Sequence, residues 1–156
     1  KVDNFYAQYT FYDLAYNIRP TEINGFLGTI QIKYWDEIVK KRSENFEIIL
    51  KHLNSNEELL PLKVSHMDLV SNFAIPVICK DKNIFWKYKK KFNNNQVEIR
   101  PIITGDITKQ PFFKKYITSS SVCKNAEFIH KNGFYFGNNP ELTEKEVSLL
   151  SSLVQS

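Results

Sequence analysis

The sequence predicts a small α/β fold of the α+β type, a sandwich whose short, mostly antiparallel sheet carries helices on one side, preceded by a long N-terminal helix. Three observations predict it. Apolar residues keep helical spacing over a long run near the start; short runs rich in β-branched and aromatic residues follow; and further stretches of helical period separate those runs. The 156 residues are 42% apolar, 14% aromatic and 24% charged. That is the composition of one folded domain, able to hide about two-thirds of its unfolded surface without disulfides or metals.

The long helix is read from Ile18 to Asn54, through Ile23, Phe26, Leu27, Ile30, Tyr34 and Ile38, then Phe46, Ile49, Leu50 and Leu53. Pro20 brings the fixed φ of a first turn and Thr21 a side-chain oxygen for the orphan amides, while Asn54, Ser55 and Asn56 stop it. About 30 residues would stretch roughly 45 Å, longer than a small domain is wide, so part of the helix packs on something else. Gly25 and Gly28 each cost up to about 1 kcal/mol in a helix interior. Lying on one face, they either admit a neighbour to close approach or mildly weaken the helix.

Phe73, Ile75 and Val77 form a first strand, with Pro76 implying an edge position or an irregularity. Residues 83 to 92 form a helix, Val97 to Ile103 a strand containing Pro101, and a short helix lies near Phe112. Asn125 to Lys131 is helical, Phe134 to Phe136 a short strand, and Leu142 to Val154 the closing helix. Thr143 followed by Glu146 is the capping box of that last helix, with acidic residues where the dipole favours them.

The net charge is +4. The densest basic run, Lys87, Lys89, Lys90 and Lys91 interleaved with Tyr88 and Phe92, resembles the phosphate-binding stripe of a single-strand nucleic-acid binder. Its apolar members fall at helical spacing, however, and a solvated helix face is the stronger reading. His52, His66 and His130 are scattered, so no metal site is expected. Cys79 and Cys123 lack metal-ligand or disulfide-scaffold spacing and read as reduced thiols of a cytoplasmic protein. No apolar run reaches the length of a membrane span, and no Walker, G-x-S-x-G or G-x-G-x-x-G pattern occurs. What remains is Asn17 and Arg19 just before the long helix, Arg100 beside Pro101, and a turn at Gly105 leading to Gln110 and Pro111. Two arginines and an amide at such places suit an anionic ligand, and surface salt bridges are the equal alternative for Arg19 and Arg100.

The run AYNIRPTEINGFLGTIQIKYWDEIVKKR resembles the segment joining the large and small domains in the DegT/DnrJ/EryC1/StrS family of pyridoxal-phosphate sugar enzymes. VEIRPIITGDITKQPFF resembles that family's strand and Gln-Pro loop, and NAEFIHKNGFYFGNNPELTEKEVSLL its closing strand and helix. The resemblance covers nearly the whole chain. It implies an enzyme, cytosolic and homodimeric, that aminates a nucleotide-linked keto-sugar or, in one branch, removes its 3-hydroxyl, for surface polysaccharides. Wording such as R-P-I-I-T-G is similar to the 3-dehydratases, and both reactions remain open.

The resemblance further implies that residues 1–19 are an extended lead-in from a large domain missing here and 20–156 the small domain with its linking helix. The opening on Lys1 agrees with a piece of a longer protein. Pyridoxal phosphate would be held mainly by the large domain, with Asn17 reaching its phosphate in the neighbouring subunit. Arg19, Arg100 and Gln110 would touch substrate, and Gly25 and Gly28 would pack closely at the dimer or near the cofactor. The Schiff-base residue would lie upstream, so no catalytic residue is assigned and the piece alone is expected to be inactive. Neither nucleic acid nor membrane is an expected partner. Two departures stand out. Asp106 replaces the asparagine often found after the loop glycine, and Lys1 to Tyr16 contains no cysteine of the kind that marks the iron–sulfur dehydrases.

Overall fold

The computed structural model describes residues 3–15, 20–118 and 122–156. After a short turn of helix α1 (Asn4–Ala7), α2 (Glu22–Gln31) leads through a 3-10 turn at Ile32–Tyr34 into α3 (Trp35–Ser55). The single helix expected from Ile18 is thus two α-helices joined by a tightened turn, and Ile18 itself lies outside the described residues. The tightening falls where β-branched Ile30 and Ile32 meet Tyr34 and Trp35, the residue types most crowded against a preceding helical turn. Thr21 caps α2, its amide and hydroxyl both meeting Asn24 Oδ1 at 3.1 and 2.7 Å. At the far end Asn56 stops α3. Its buried side chain donates to the Val154 carbonyl and the Tyr88 hydroxyl, each at 2.6 Å, and accepts from the Glu58 amide at 2.9 Å.

The three strands are β1 (Ala74–Ile78), β2 (Ile99–Pro101) and β3 (Gly133–Gly137), in the order β1-β3-β2 and antiparallel throughout. Pro76 and Pro101 therefore both sit in edge strands, where a missing N–H breaks no inner ladder. Pro101 also helps end β2, which is shorter than the Val97–Ile103 run predicted. Register pairs Ile75 and Ile99 with Phe136, and Val77 and Pro101 with Phe134, so these residues share one face. That face is the core. Helices α3, α4 (Lys82–Asn94) and α7 (Glu144–Leu153) cover it with Phe46, Ile49, Leu53, Phe85, Phe92 and Leu150. Phe134 packs edge-on against Phe92 at 5.2 Å and Phe85 at 6.1 Å. Thr143 and Glu146 form the expected capping box of α7.

The basic run on α4 works within the fold. Lys87 bonds Glu58 at 2.7 Å, Lys91 bonds the Gln155 carbonyl at 2.7 Å, and Lys89 lies 4.3 Å over the Phe5 ring. Cys79 is buried with its thiol pushed up to about 12 by desolvation, whereas Cys123 is exposed; both are free. Among the described residues no group of His, Cys, Asp and Glu is placed to hold a metal, and no helix is long and apolar enough to cross a membrane.

Between β2 and α5 (Pro111–Tyr116) the chain makes a turn with two consecutive left-handed residues, Thr104 at φ 57° and Gly105 at φ 52°. A Cβ on Gly105 would lie 2.3 Å from His130 Nδ1 on α6 (Lys124–Asn132), so backbone and space both require glycine. Gly105→Ala is expected to lower the unfolding free energy by about 2 kcal/mol, read by urea denaturation. The burial of His130 sets a pH dependence. Burial holds the His130 imidazole below the ordinary value of 6.5; Lys82, Lys109 and Lys131 act in the same direction and Asp106 opposes them. The unfolded chain therefore takes up this proton first, so the contribution of neutral His130 is complete above about pH 6.5 and lost as pH falls through its lower folded value. In His130→Gln the drop in melting temperature from about pH 7.5 to about pH 5 should be smaller than in the parent chain.

Candidate functional site

The outer face of the sheet, opposite the core, is built by the same register: Pro76 and Arg100 both pair with Tyr135. The Tyr135 hydroxyl meets that of Tyr9, which arrives from the N-terminal segment. The two phenols respond in opposite directions. Desolvation, reinforced by Tyr9, pushes Tyr135 up to about 12, whereas the hydrogen bond from Tyr135, with Arg100 nearby, lowers Tyr9. Either hydroxyl can serve as donor in this bond. The exposed Arg100 guanidinium donates from Nε to Glu98 Oε1 at 2.7 Å, and Glu98 and Tyr9 together strengthen its hold on its proton.

Arg100 and Tyr135 border an open groove of about 570 Å³, with Phe73, Gln96, Glu98 and Leu142 among its other walls. Phe73 stands edge-on to Tyr135 with ring centres 6.3 Å apart. One cation, two carboxylates including Glu146, several amides and an aromatic wall give this groove the donors, acceptors and flat surfaces that a polar aromatic ligand requires.

The loop that follows β2 serves a different end. Asp106 is 1% exposed, and its Oδ1 accepts from the Thr108 amide at 3.0 Å and hydroxyl at 2.7 Å. It caps the 3-10 turn Ile107–Lys109 from within, which is what a carboxylate does there in place of the expected asparagine. Gln110 is 5% exposed. Its Oε1 accepts from the Phe11 amide at 2.8 Å, and its Nε2 donates to the carbonyls of Tyr9 at 2.9 Å and Thr104 at 3.3 Å. The Phe11 carbonyl in turn accepts from the Phe112 amide at 3.0 Å. Further along, Asp13 binds Lys115 at 2.6 Å and the Tyr116 hydroxyl, and these bonds hold its exposed carboxyl at about 2.

Of the four residues predicted to meet cofactor or substrate, Arg100 is exposed on the groove and Gln110 is buried with both ends of its amide on main chain. Tyr9 lies near both, its carbonyl accepting from Gln110 and its hydroxyl close enough to Arg100 for the guanidinium to act on it. Asn17 and Arg19 lie outside the described residues. Tyr9, Tyr135 and Asp13 were not singled out in the sequence; the only signal was an aromatic-rich opening whose partners lie more than a hundred residues away.

Helix α2 has no buried residue. Ile23 is 71% exposed and Phe26 67%, with Leu27, Ile30, Ile32 and Trp35 also open, and nothing lies within 4 Å of a Cβ on Gly25 or Gly28. Among the described residues the glycines have no neighbour to accommodate.

The chain is 28% identical over 156 residues to GDP-4-keto-6-deoxy-D-mannose 3-dehydratase of Escherichia coli O55:H7, a match that covers 98% of this chain and 40% of that protein. It is 25% identical over 150 residues to the lipopolysaccharide biosynthesis protein RfbH of Salmonella typhimurium, covering 93% and 34%. It thus spans about two-fifths or less of the length of these relatives. The solved structure of the E. coli 3-dehydratase with bound hydrated PLP superposes with a TM-score of 0.74 at 26% identity, over 99% of this chain and 40% of that one. The model of the DegT/DnrJ/EryC1/StrS aminotransferase family matches residues 1–155, and with the same small antiparallel sheet and helical cover present, the chain belongs to that family.

Proposed function

We propose that this chain is the C-terminal small domain, residues 20–156 with lead-in 1–19, of a pyridoxal-phosphate enzyme that removes the 3-hydroxyl of a nucleotide-linked 4-keto-6-deoxy sugar for surface polysaccharide. The observation that carries the reading is coverage. The 3-dehydratase likeness extends over 98% of this chain but 40% of that enzyme, and the helix nearest the junction is apolar and uncovered. A helix apolar on most sides is normally enclosed by protein. The remaining domain and a second subunit are the natural cover, making the working form a cytoplasmic homodimer that needs neither nucleic acid nor membrane.

Two residues of the resemblance, outside the described residues, would supply donors to the phosphate end of the cofactor. Asn17 offers an amide and Arg19 a planar cationic fork, on a span bounded by the anchored Asp13 and the capped start of α2 at Thr21. Bound pyridoxal phosphate supplies the electron sink for the bond broken next to the sugar carbonyl. Arg100, oriented by Glu98, is available to the anionic part of a nucleotide-linked sugar, and the exposed Phe73 offers a surface on which a base or sugar ring can stack. Gln110 assists substrate binding through the backbone it holds.

Two measurements test this. The full-length enzyme, given pyridoxal phosphate, glutamate and GDP-4-keto-6-deoxymannose, should yield a 3-deoxy sugar by NMR, and residues 1–156 alone should yield none. A stable amino sugar would place the protein in the transaminating branch, and turnover by residues 1–156 would overturn the reading of the chain as an incomplete enzyme. In sedimentation velocity, residues 1–156 should self-associate through the open face of α2, and Phe26→Glu should restore the monomer with the melting temperature of the parent chain at dilutions where that chain is itself monomeric. A strictly monomeric parent chain over a wide concentration range would count against an interface at α2.

A further inference from the structure

We propose that His130 is a proton-operated latch on the lead-in: the neutral imidazole holds the first turn, α1, against the domain, and its protonation releases that turn while the rest of the lead-in stays attached. The inference is independent of the reading of the chain as part of a sugar enzyme. Three elements build the latch. His130 lies in the last turn of α6. Tyr6, from α1, lays its ring on the imidazole with centroids 4.9 Å apart and donates its hydroxyl to the His130 carbonyl at 3.3 Å. Gly105, from the loop after β2, closes the edge of the ring: the point its Cβ would occupy is 2.3 Å from Nδ1, so that edge packs on a carbon that accepts no hydrogen bond.

A second proton on this ring finds its surroundings already engaged. The lead-in brings Asp3, α4 brings Lys82, the loop brings Asp106 and Lys109, and α6 brings Glu127 and Lys131. Asp3 accepts from the Phe5 amide at 2.8 Å as the cap of α1, Asp106 is committed to Thr108, and Glu127 is shared by Lys109 at 3.7 Å and Lys131 at 2.9 Å. Lys82 is held by a carbonyl, that of Lys131 at 2.9 Å, and lies 6.0 Å from the Tyr6 ring. Burial and the three lysines disfavour the imidazolium, and Asp106 opposes them. The opened, hydrated ring therefore takes up a proton more readily than the latched one. The latch is complete above about pH 6.5 and weakens as pH falls through the lower value of the latched imidazole.

The release is local because the anchors differ. Helix α1 has four residues and none of them buried, far too short to persist without its contacts, which are those of Tyr6 and the edge of Phe5 against Phe85 at 6.1 Å. A few residues on, buried Gln110 holds the Tyr9 carbonyl and the Phe11 amide through bonds that contain no titratable group.

Hydrogen–deuterium exchange of the full-length protein, read by mass spectrometry at about pH 7.5 and about pH 5 with rates corrected for the chemical pH dependence of exchange, tests this. The Tyr6, Ala7 and Tyr9 amides, bonded to the Asp3 and Tyr6 carbonyls, report α1, and the Phe11 amide reports the lead-in beyond it. On acidification the protection of α1 should fall severalfold while that of Phe11 and β3 holds. His130→Phe keeps a flat ring that cannot take up a proton and should abolish the response; His130→Gln, without the bulk of the larger ring, should do the same. Tyr6→Leu removes the stack and the hydroxyl, and should leave α1 at pH 7.5 as open as in the parent at pH 5. An α1 that keeps its protection at pH 5, or loses it equally in the parent and both His130 variants, overturns the proposal. Loss at Phe11 and β3 in step with α1 marks general acid unfolding and overturns it as well.

Discussion

Strand β3 runs between two proline-bearing edges, and the alternation of its side chains decides what each face of the sheet can do. Phe134 and Phe136 point into the helical layer, where each is 1% exposed or less, and Tyr135 points the other way to meet Tyr9 and Arg100. A shift of one residue would exchange the two sets, putting a phenol into the core and phenylalanines on the groove. The aromatic packing that stabilises the domain therefore also fixes the groove wall. Pro76 and Pro101 lie directly beside this strand on the outer edges, so neither edge presents a full ladder for another strand to join.

Polar groups buried at the joints of the fold are paired in a way that links distant parts of the sequence. Asn56 joins the end of α3 to the C-terminus through Val154 and to α4 through Tyr88, whose hydroxyl is pushed up to about 12 by burial and donates to Glu58 at 2.9 Å. Asn138, after β3, donates to the carbonyls of Arg42 at 2.9 Å and Asn72 at 3.0 Å. Gln110 does the same for the lead-in. Each amide side chain both donates and accepts, so one residue can satisfy a carbonyl and an N–H on a passing segment, whereas a carboxylate or an ammonium can satisfy one kind only. This explains why amides, rather than charges, occupy these joints.

Much of this was legible in the sequence, because the local signals agreed with the final packing. The capping box at Thr143, the stop at Asn54–Asn56, the edge position open to Pro76 and the apolar face of α4 each report a short-range physical preference. The 3-10 turn at Ile32–Tyr34 was not legible, since its apolar spacing hardly differs from that of a continuous helix. Arg100 was recognisable as an exposed cation in a strand, but its partners were not. Gln110 was read as a ligand-facing amide because sequence cannot show which way a side chain turns, and its bonds run to residues about a hundred positions earlier. The same distance concealed Tyr9 and Asp13. Asp106, which looked like a departure from the family pattern, finds its explanation in the loop, where a carboxylate caps the turn as well as an amide would.

Helix α2 shows how assembly and site are coupled. Its own hydrogen bonds and the cap at Thr21 favour a helix, but ten residues with two glycines are marginal in water, and isolated helices of that length gain most of their stability from packing. In this chain α2 draws stability from its continuity with α3 and from no buried side chain of its own. Whatever covers Ile23, Phe26 and Leu27 therefore stabilises the helix start, and the helix start stands two residues after Arg19. The lead-in is held from the other side, at Phe11 and Asp13, by contacts internal to the domain. The lead-in up to Asp13 is thus held by the fold of the domain itself, whereas α2 gains side-chain burial only from whatever packs on its open face.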